Sequence, residues 1–337
     1  MKYQKTRLTI SSSPHAHSSN STAVIMRDVC IALLPALIAA VYFFGSRALA
    51  MTVISVAACV FFEWGYRELL HKDCTVGDWS AVVTGMLVAF VCPVSLPYWT
   101  LILGDFFAIV IVKQLFGGIG LNIVNPALAA RAFLFSWPSL ISGRWTAPGQ
   151  RLSIASNVSQ LDGMTTATPM EALAAGNLPG ESLLDVFLGR VGGSFGEVSA
   201  LLLIIGGIYL VIRRVISLRI PLAYLLTVAL LAFVFPLGGN DRLTWMLYQL
   251  LSGGLMLGAI FMATDYTTSP VTHAGQIVYG IGCGVLTILL RYFGSYVEGV
   301  SFAILIMNCC IGFFDKIGVP RRFGFVKEKK KKGGEEK

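Results

Sequence analysis

Charge is what this chain has least of. Of its 337 residues only 13% are Asp, Glu, Lys or Arg, while 55% are hydrophobic and the mean hydropathy is +0.72. A soluble domain carries about 25% charged residues, so a water-soluble globular fold is excluded and a multi-pass membrane protein is expected. Histidine is nearly missing as well: His15 and His17 lie in a polar arm, and His71 and His273 stand alone. The seven cysteines form no C-x-x-C pair, and Cys309 and Cys310 are adjacent, a poor geometry for a mutual disulfide. The spacings therefore offer no metal site and no iron–sulfur cluster held within one chain, and the cysteines in apolar runs read as small packing residues. Residues 1–23 lack an apolar run and are Ser-rich, which predicts a cytoplasmic arm rather than a cleaved signal peptide. Of the net charge of +8, +5 resides in residues 319–337, a solvated, disordered tail ending in KEKKKKGGEEK. It argues for contact with lipid headgroups or a neighbouring subunit, not for nucleic acid.

What is abundant is apolar sequence in segments. A membrane span needs about 20 residues, and ten segments qualify in outline: 28–45, 48–64, 79–92, 96–113, 123–137, 197–213, 219–237, 245–262, 275–293 and 300–315. The third and fifth are short, and Pro93 and Pro97 bracket a break. Broken helices at membrane depth are tolerated where the freed backbone is buried or lines a cavity.

The distribution of Lys and Arg orients these spans. With the N-terminus inside, nineteen of the 26 basic residues fall on the cytoplasmic side, Arg67, Lys113, Arg213 and the tail among them. The expectation is ten spans with both termini cytoplasmic: a first five-helix repeat in 24–137, an extracytoplasmic loop in 138–196, and a second five-helix repeat in 197–318. Five spans on each side of the loop give the halves opposite orientation, the signature of an inverted repeat whose site lies where broken helices meet. The breaks at comparable positions are Pro93–Pro97 in the first half and Thr264–Pro270 in the second.

The polar loop holds LDGMTTATPM, residues 161–170. By composition it is a turn-rich connection. By pattern, Asp162-x-x-Thr165-x-Ala167-Thr168 resembles the flavinylation motif D-x-x-(S/T)-G-A-(T/S), in which the last hydroxyl is esterified by the phosphate of FMN. Thr166 stands where that motif has glycine. A threonine hydroxyl can form the phosphoester, a nearby carboxylate can position a metal-bound phosphate donor, and small neighbours let it approach.

Two further stretches carry polar groups into the apolar sequence. In GGIGLNIVNPA, residues 117–127, Asn122 and Asn125 are spaced (i, i+3), and Asn125 precedes Pro126 as a helix cap would. The stretch suits either close helix packing through small residues or a planar polar ligand facing both amides. FMATDYTTSP, residues 261–270, puts Asp265 among hydroxyls at a span end; an ionisable group there is either a helix-terminus residue or functional. Asp105 lies deepest, between Gly104 and Phe106, and Glu63 is positioned to pair with Arg67 at i+4.

Together, SSSPHAHS, GGIGLNIVNPALAAR, DGMTTATPM, FMATDYTTSP, GQIVYGIGCGVLTILLR and EGVSFAILIMN resemble, in order and spacing over residues 11–318, the RnfD/NqrB family. The compact length and the TTATP loop are closer to its RnfD branch than to the longer NqrB branch. The resemblance implies a ten-helix, urea-channel-like fold in the inner membrane and covalent FMN on Thr168. It also implies a noncovalent riboflavin in the membrane part, with Asn122 and Asn125 as flavin contacts, and Asp265 and Asp105 as ion-pathway or core-lining groups. The partners implied are a flavin transferase and other Rnf subunits with flavin and iron–sulfur centres. The activity implied is electron transfer between ferredoxin and NAD coupled to Na⁺ or H⁺ movement. A quinone-linked NqrB-like subunit, or a channel or transporter with no redox role, would carry many of the same features.

Overall fold

The computed structural model describes residues 21–137, 145–146, 148–149, 151–154, 168–196, 199–294 and 298–319. Among them the secondary structure is helical, with no β-strand. The first half runs α1 (Thr22–Phe44), α2 (Ser46–Leu69), α3 (Ser80–Phe90), α4 (Tyr98–Phe106) and α5 (Pro126–Leu134). Two short helices follow, α6 (Pro169–Ala174) and α7 (Leu183–Leu188). The second half runs α8 (Ala200–Ile212), α9 (Arg219–Val234), α10 (Arg242–Leu251), α11 (Leu255–Leu257), α12 (His273–Phe293), α13 (Val300–Cys309) and α14 (Ile311–Phe314).

Three described helices, α1, α2 and α12, are long and apolar enough to cross a bilayer alone. A fourth span can be built from α10 and Leu255–Met262, bent by 63° between them. Each of the other predicted spans contains a helix, but these are shorter. The chain is thus an all-helical membrane protein. Its outward faces carry residues such as Ile38, Val53, Ile208 and Leu226, all more than 45% exposed, as a lipid-facing surface requires.

Local chemistry explains the boundaries. Ser21 caps α1 through a 3.3 Å bond from the Val24 amide, and Asp241 and Thr272 do the same for α10 and α12. Gly45 turns the chain between α1 and α2 at φ +86°, where a Cβ would meet the Leu152 carbonyl at 2.7 Å. Gly85 lets α3 lie against α2: a Cβ there would meet the Val56 Cα at 2.7 Å. Small residues at helix crossings allow this approach where apolar burial adds little driving force.

The two halves are joined by partly buried polar pairs. Asp28 of α1 accepts from Tyr209 at 3.2 Å and Arg213 Nε at 3.0 Å, tying α1 to the end of α8. Arg131 of α5 pairs with Glu298 just before α13.

Both halves contain a break, and a buried arginine serves each. Arg47 donates to the carbonyls of Val94 (2.8 Å) and Leu96 (3.1 Å) in the stretch after α3. Arg291 donates to those of Gln249 (2.5 Å) and Ser252 (2.9 Å) between α10 and α11. The second break is therefore at 252–254 rather than at the expected 264–270. Gly253 and Gly254 adopt φ of +70° and +67° there, which ends α10 abruptly, whereas residues 264–270 form turns in a hydroxyl-rich loop.

Glu63 does not pair with Arg67. Its carboxylate instead receives the Lys113 ammonium at 2.7 Å, with both side chains buried, and Arg67 turns to Gln114 Oε1 at 3.0 Å. Lys113 comes from another helix at the same depth and satisfies a desolvated carboxylate that a surface-directed arginine would leave bare.

Candidate functional site

Two cavities hold Asn122, Asn125, Asp265 and Thr168. The first lies where the two halves meet. α4 continues into a π-helical stretch, Phe107–Gln114, with the Leu115 amide bonded to the Val110 carbonyl at 3.0 Å. α11 likewise continues into Gly258–Met262, with the Ala263 amide on the Gly258 carbonyl at 2.7 Å. Such widened turns are rare and frequently occur at functional sites. Each one runs directly into one of the two motif loops, 117–122 and 264–268.

Between those loops is a cavity of about 80 Å³, lined by Lys113, Asn122, Asn125, Thr264, Asp265 and Thr267, with apolar walls that include Val83, Leu87 and Phe261. Asn122 Nδ2 donates to Thr267 Oγ1 at 2.9 Å, and Thr267 in turn donates to Asp265 Oδ2 at 2.9 Å. Asp265 Oδ2 also receives Thr268 Oγ1 at 3.1 Å. Asn125 works in both directions: its oxygen caps α5 from the Ala127 amide at 3.0 Å, and its Nδ2 donates to the Met262 carbonyl at 3.3 Å. Asn122 and Asn125 thus share one cavity with Asp265, which is distant from them in sequence. Lys113, whose ammonium also donates to Ser80 Oγ at 2.7 Å, enters the sequence reading only as a cytoplasmic charge. Its place at the end of an apolar run is the signal that could have found it.

The second cavity, about 30 Å³, adjoins Thr168. Asp162, Thr165, Thr166 and Ala167 lie outside the described residues. Thr168 is the N-cap of α6: its Oγ1 accepts from the Glu171 amide at 3.3 Å. Esterification would remove only the hydroxyl proton, and the oxygen would keep its role as an acceptor. Around it stand Gly192, Gly193, Gly253 and Gly254, and the buried Ser252 Oγ, which has no hydrogen-bond partner among the described residues. An unpaired buried hydroxyl costs about 1–3 kcal/mol, and a polar group seated here would relieve it. Ser252 is not singled out by the sequence, since a lone serine beside two glycines carries no pattern.

Asp105 belongs to neither cavity. It is fully buried between α2 and α4, with Ser55 Oγ at 2.7 Å and Cys59 Sγ at 3.5 Å. Cys30, Cys92 and Cys283 are also buried, and Cys74 is exposed.

The fold defines a helical membrane protein with interrupted helices and a cavity beside each of two polar motifs. Sequence comparison narrows this. Residues 9–324 match the profile of the NQR2, RnfD, RnfE family, and the chain belongs to that family. It is 48% identical over 329 residues to a subunit of the Na(+)-translocating ferredoxin:NAD(+) oxidoreductase complex of Acetobacterium woodii, covering 96% of this chain and 97% of the relative. It is 38% identical over 336 residues to the corresponding subunit of the proton-translocating ferredoxin:NAD(+) oxidoreductase complex of Clostridium ljungdahlii, covering 95% and 97%. A third relative, from the ion-translocating oxidoreductase complex of Actinobacillus succinogenes, is 33% identical over 347 residues, covering 94% and 98%.

Proposed function

We propose that this chain is the membrane subunit of an ion-translocating ferredoxin:NAD oxidoreductase complex that carries FMN esterified to Thr168 and a noncovalent riboflavin between Asn122, Asn125 and Asp265. The observation that carries the reading is the position of Thr168. Its oxygen caps a helix at the rim of a glycine-lined cavity that contains an unpartnered buried hydroxyl. When bound, a flavin supplies reversible electron acceptance; the protein supplies position and electrostatics.

The residues present fit that role. At Thr168 the glycines leave backbone accessible to a phosphate, and Ser252 offers a donor. In the first cavity, carboxamide, hydroxyl and carboxylate groups face apolar walls, a lining suited to orienting a planar ring with polar edges. Its space of about 80 Å³ is smaller than a flavin, so binding would require its movable side chains to open.

The topology follows the same reading. Ten spans in a 5+5 inverted repeat, with N- and C-termini cytoplasmic and Thr168 on the outer side of the inner membrane, are supported by the basic-residue distribution. They are also supported by the break in each half and the cross-half contacts of α1 with α8 and α5 with α13. The proposed partners are the remaining subunits of the complex and a flavin transferase; the coupled ion is Na⁺ or H⁺.

The test is in-gel ultraviolet fluorescence of the denatured chain made in cells that contain the transferase, with mass spectrometry of the peptide spanning residues 161–170. A fluorescent band that disappears in Thr168→Val, with an FMN phosphoester mass on that peptide, is expected. A dark parent band would overturn the flavin assignment and favour a plain transporter.

A further inference from the structure

We propose that Asp105 is a proton-binding site buried in the first half, neutral in this arrangement and carrying its proton on Oδ1 toward Ser55. The packing of α2, α3 and α4 alone supports this, independently of the flavin at Thr168.

Donors and acceptors around Asp105 bear on its charge. Ser55 Oγ lies 2.8 Å from the Gly85 carbonyl and 2.7 Å from Asp105 Oδ1. A carbonyl only accepts, and a hydroxyl has one proton to give. When Ser55 gives it to Gly85, the short contact with Oδ1 is a hydrogen bond only if the carboxyl group donates. Cys59, at 3.5 Å from the same oxygen, can donate its thiol proton to it.

The remaining oxygen points the same way. Oδ2 is buried and has no hydrogen-bond partner among the described residues. An ionised carboxylate with one bare oxygen in a membrane interior is strongly disfavoured unless a cation faces it. The ion pairs among the described residues place Lys113 on Glu63 and Arg131 on Glu298, not on Asp105. Of the elements packed nearby, α3 and α5 present Gly85 and Leu134 to this stretch. The titratable group facing it is Cys59; Glu63, one helical turn further along α2, is engaged by Lys113 and Thr75 instead.

That arrangement forms a seam. Ser55, Cys59 and Glu63 recur every four residues on one face of α2, and Asp105 and Lys113 lie along the adjoining element. A neutral carboxyl stands at one end and an ion pair at the other, with the Thr75 hydroxyl on Glu63 at 2.7 Å. The 2.7 Å gap between Ser55 and Asp105 is filled by a hydrogen and has no room for a metal ion between the oxygens.

The experiment is labelling of the full chain, in membranes of cells that make its natural complex, with the apolar reagent N,N′-dicyclohexylcarbodiimide, which attacks protonated carboxyls. Infrared spectroscopy reads the carbonyl stretch of a neutral carboxylic acid in the same preparations. The expected result is an adduct on the peptide containing Asp105, unchanged when Na⁺ replaces K⁺, together with a carboxylic-acid band lost in Asp105→Asn. Should that variant fail to fold, Ser55→Ala provides the second arm, because removing the proton's acceptor should shift the band. A bare Asp105 with no such band in the parent overturns the proposal. So does protection from labelling by Na⁺ but not K⁺, which would show a cation site instead.

Discussion

The Lys113 ammonium lies 2.7 Å from a carboxylate oxygen of Glu63, and both side chains are buried. Lys113 also lines the cavity between the two motif loops, so one ion pair fixes a charge at its wall. Removing one partner of such a pair typically costs about 3–5 kcal/mol, whereas replacing both with apolar groups can be nearly neutral. Glu63→Met and Lys113→Met should each lower thermal stability sharply, and the double variant should recover most of the loss. Thermal-unfolding midpoints of the four proteins in detergent check this; additive losses would mean that the pair is not coupled.

Thr168 has two roles that a pair of substitutions separates. Thr168→Ser should keep the α6 cap and any flavin ester. Thr168→Val should lose both, with a cap loss of about 0.5–2 kcal/mol. Covalent flavin fluorescence and unfolding midpoint, measured on the same samples, distinguish the roles.

Asn125 holds α5 and touches the second half through the Met262 carbonyl. Asn125→Ala should lower stability by about 1 kcal/mol through the lost cap and reduce flavin extractable after denaturation, while leaving covalent fluorescence intact. Asn125→Asp should retain the cap but set a buried carboxylate against the Met262 carbonyl in the cavity that holds Asp265, and so lower flavin binding further. Flavin released per chain is the readout.

Arg291 satisfies carbonyls at the α10–α11 break, close to the Thr168 cavity. Arg291→Met would leave those acceptors buried and bare, at about 1–3 kcal/mol each. The expected outcome is faster proteolysis around Gly253 and a lower flavin yield at Thr168. Arg291→Lys should rescue only partly, because an ammonium lacks the planar fork.

At the N-terminal end of α10, Asp241 is held below the usual carboxylate range by hydrogen bonds from the Thr244 amide and hydroxyl. A depressed folded value means that its contribution is present above the ordinary carboxylate range and lost as pH falls through the lowered one. The stability difference between the parent and Asp241→Ala should therefore shrink on acidification through that window. A difference that stays constant with pH would show that the charge plays no part.

Much of this arrangement can be read from the residues because its signals are local. Asn125-Pro126 announces a capped helix, the runs of Ala, Leu, Ile and Val announce membrane helices, and the two polar motifs prove to share a cavity. Other features depend on partners distant in sequence. Glu63 and Arg67 have the right spacing for a pair, yet Lys113, fifty residues away, takes the carboxylate. The second break is legible in Gly253 and Gly254, but the richer polar pattern of residues 264–270 draws the expectation to the wrong place. The lone Ser252 becomes informative only once the fold leaves its hydroxyl unpaired.

The short segment Leu255–Met262 begins beside the Thr168 cavity and ends at the one lined by Asp265. At about 1.5 Å per residue its eight residues make a strut on the order of 12 Å long. The spacing of whatever occupies the two hollows is thus written into one stretch of backbone. Inserting a single residue would lengthen the strut and swing its far end by about 100°, unhitching the two sites without altering a side chain in either.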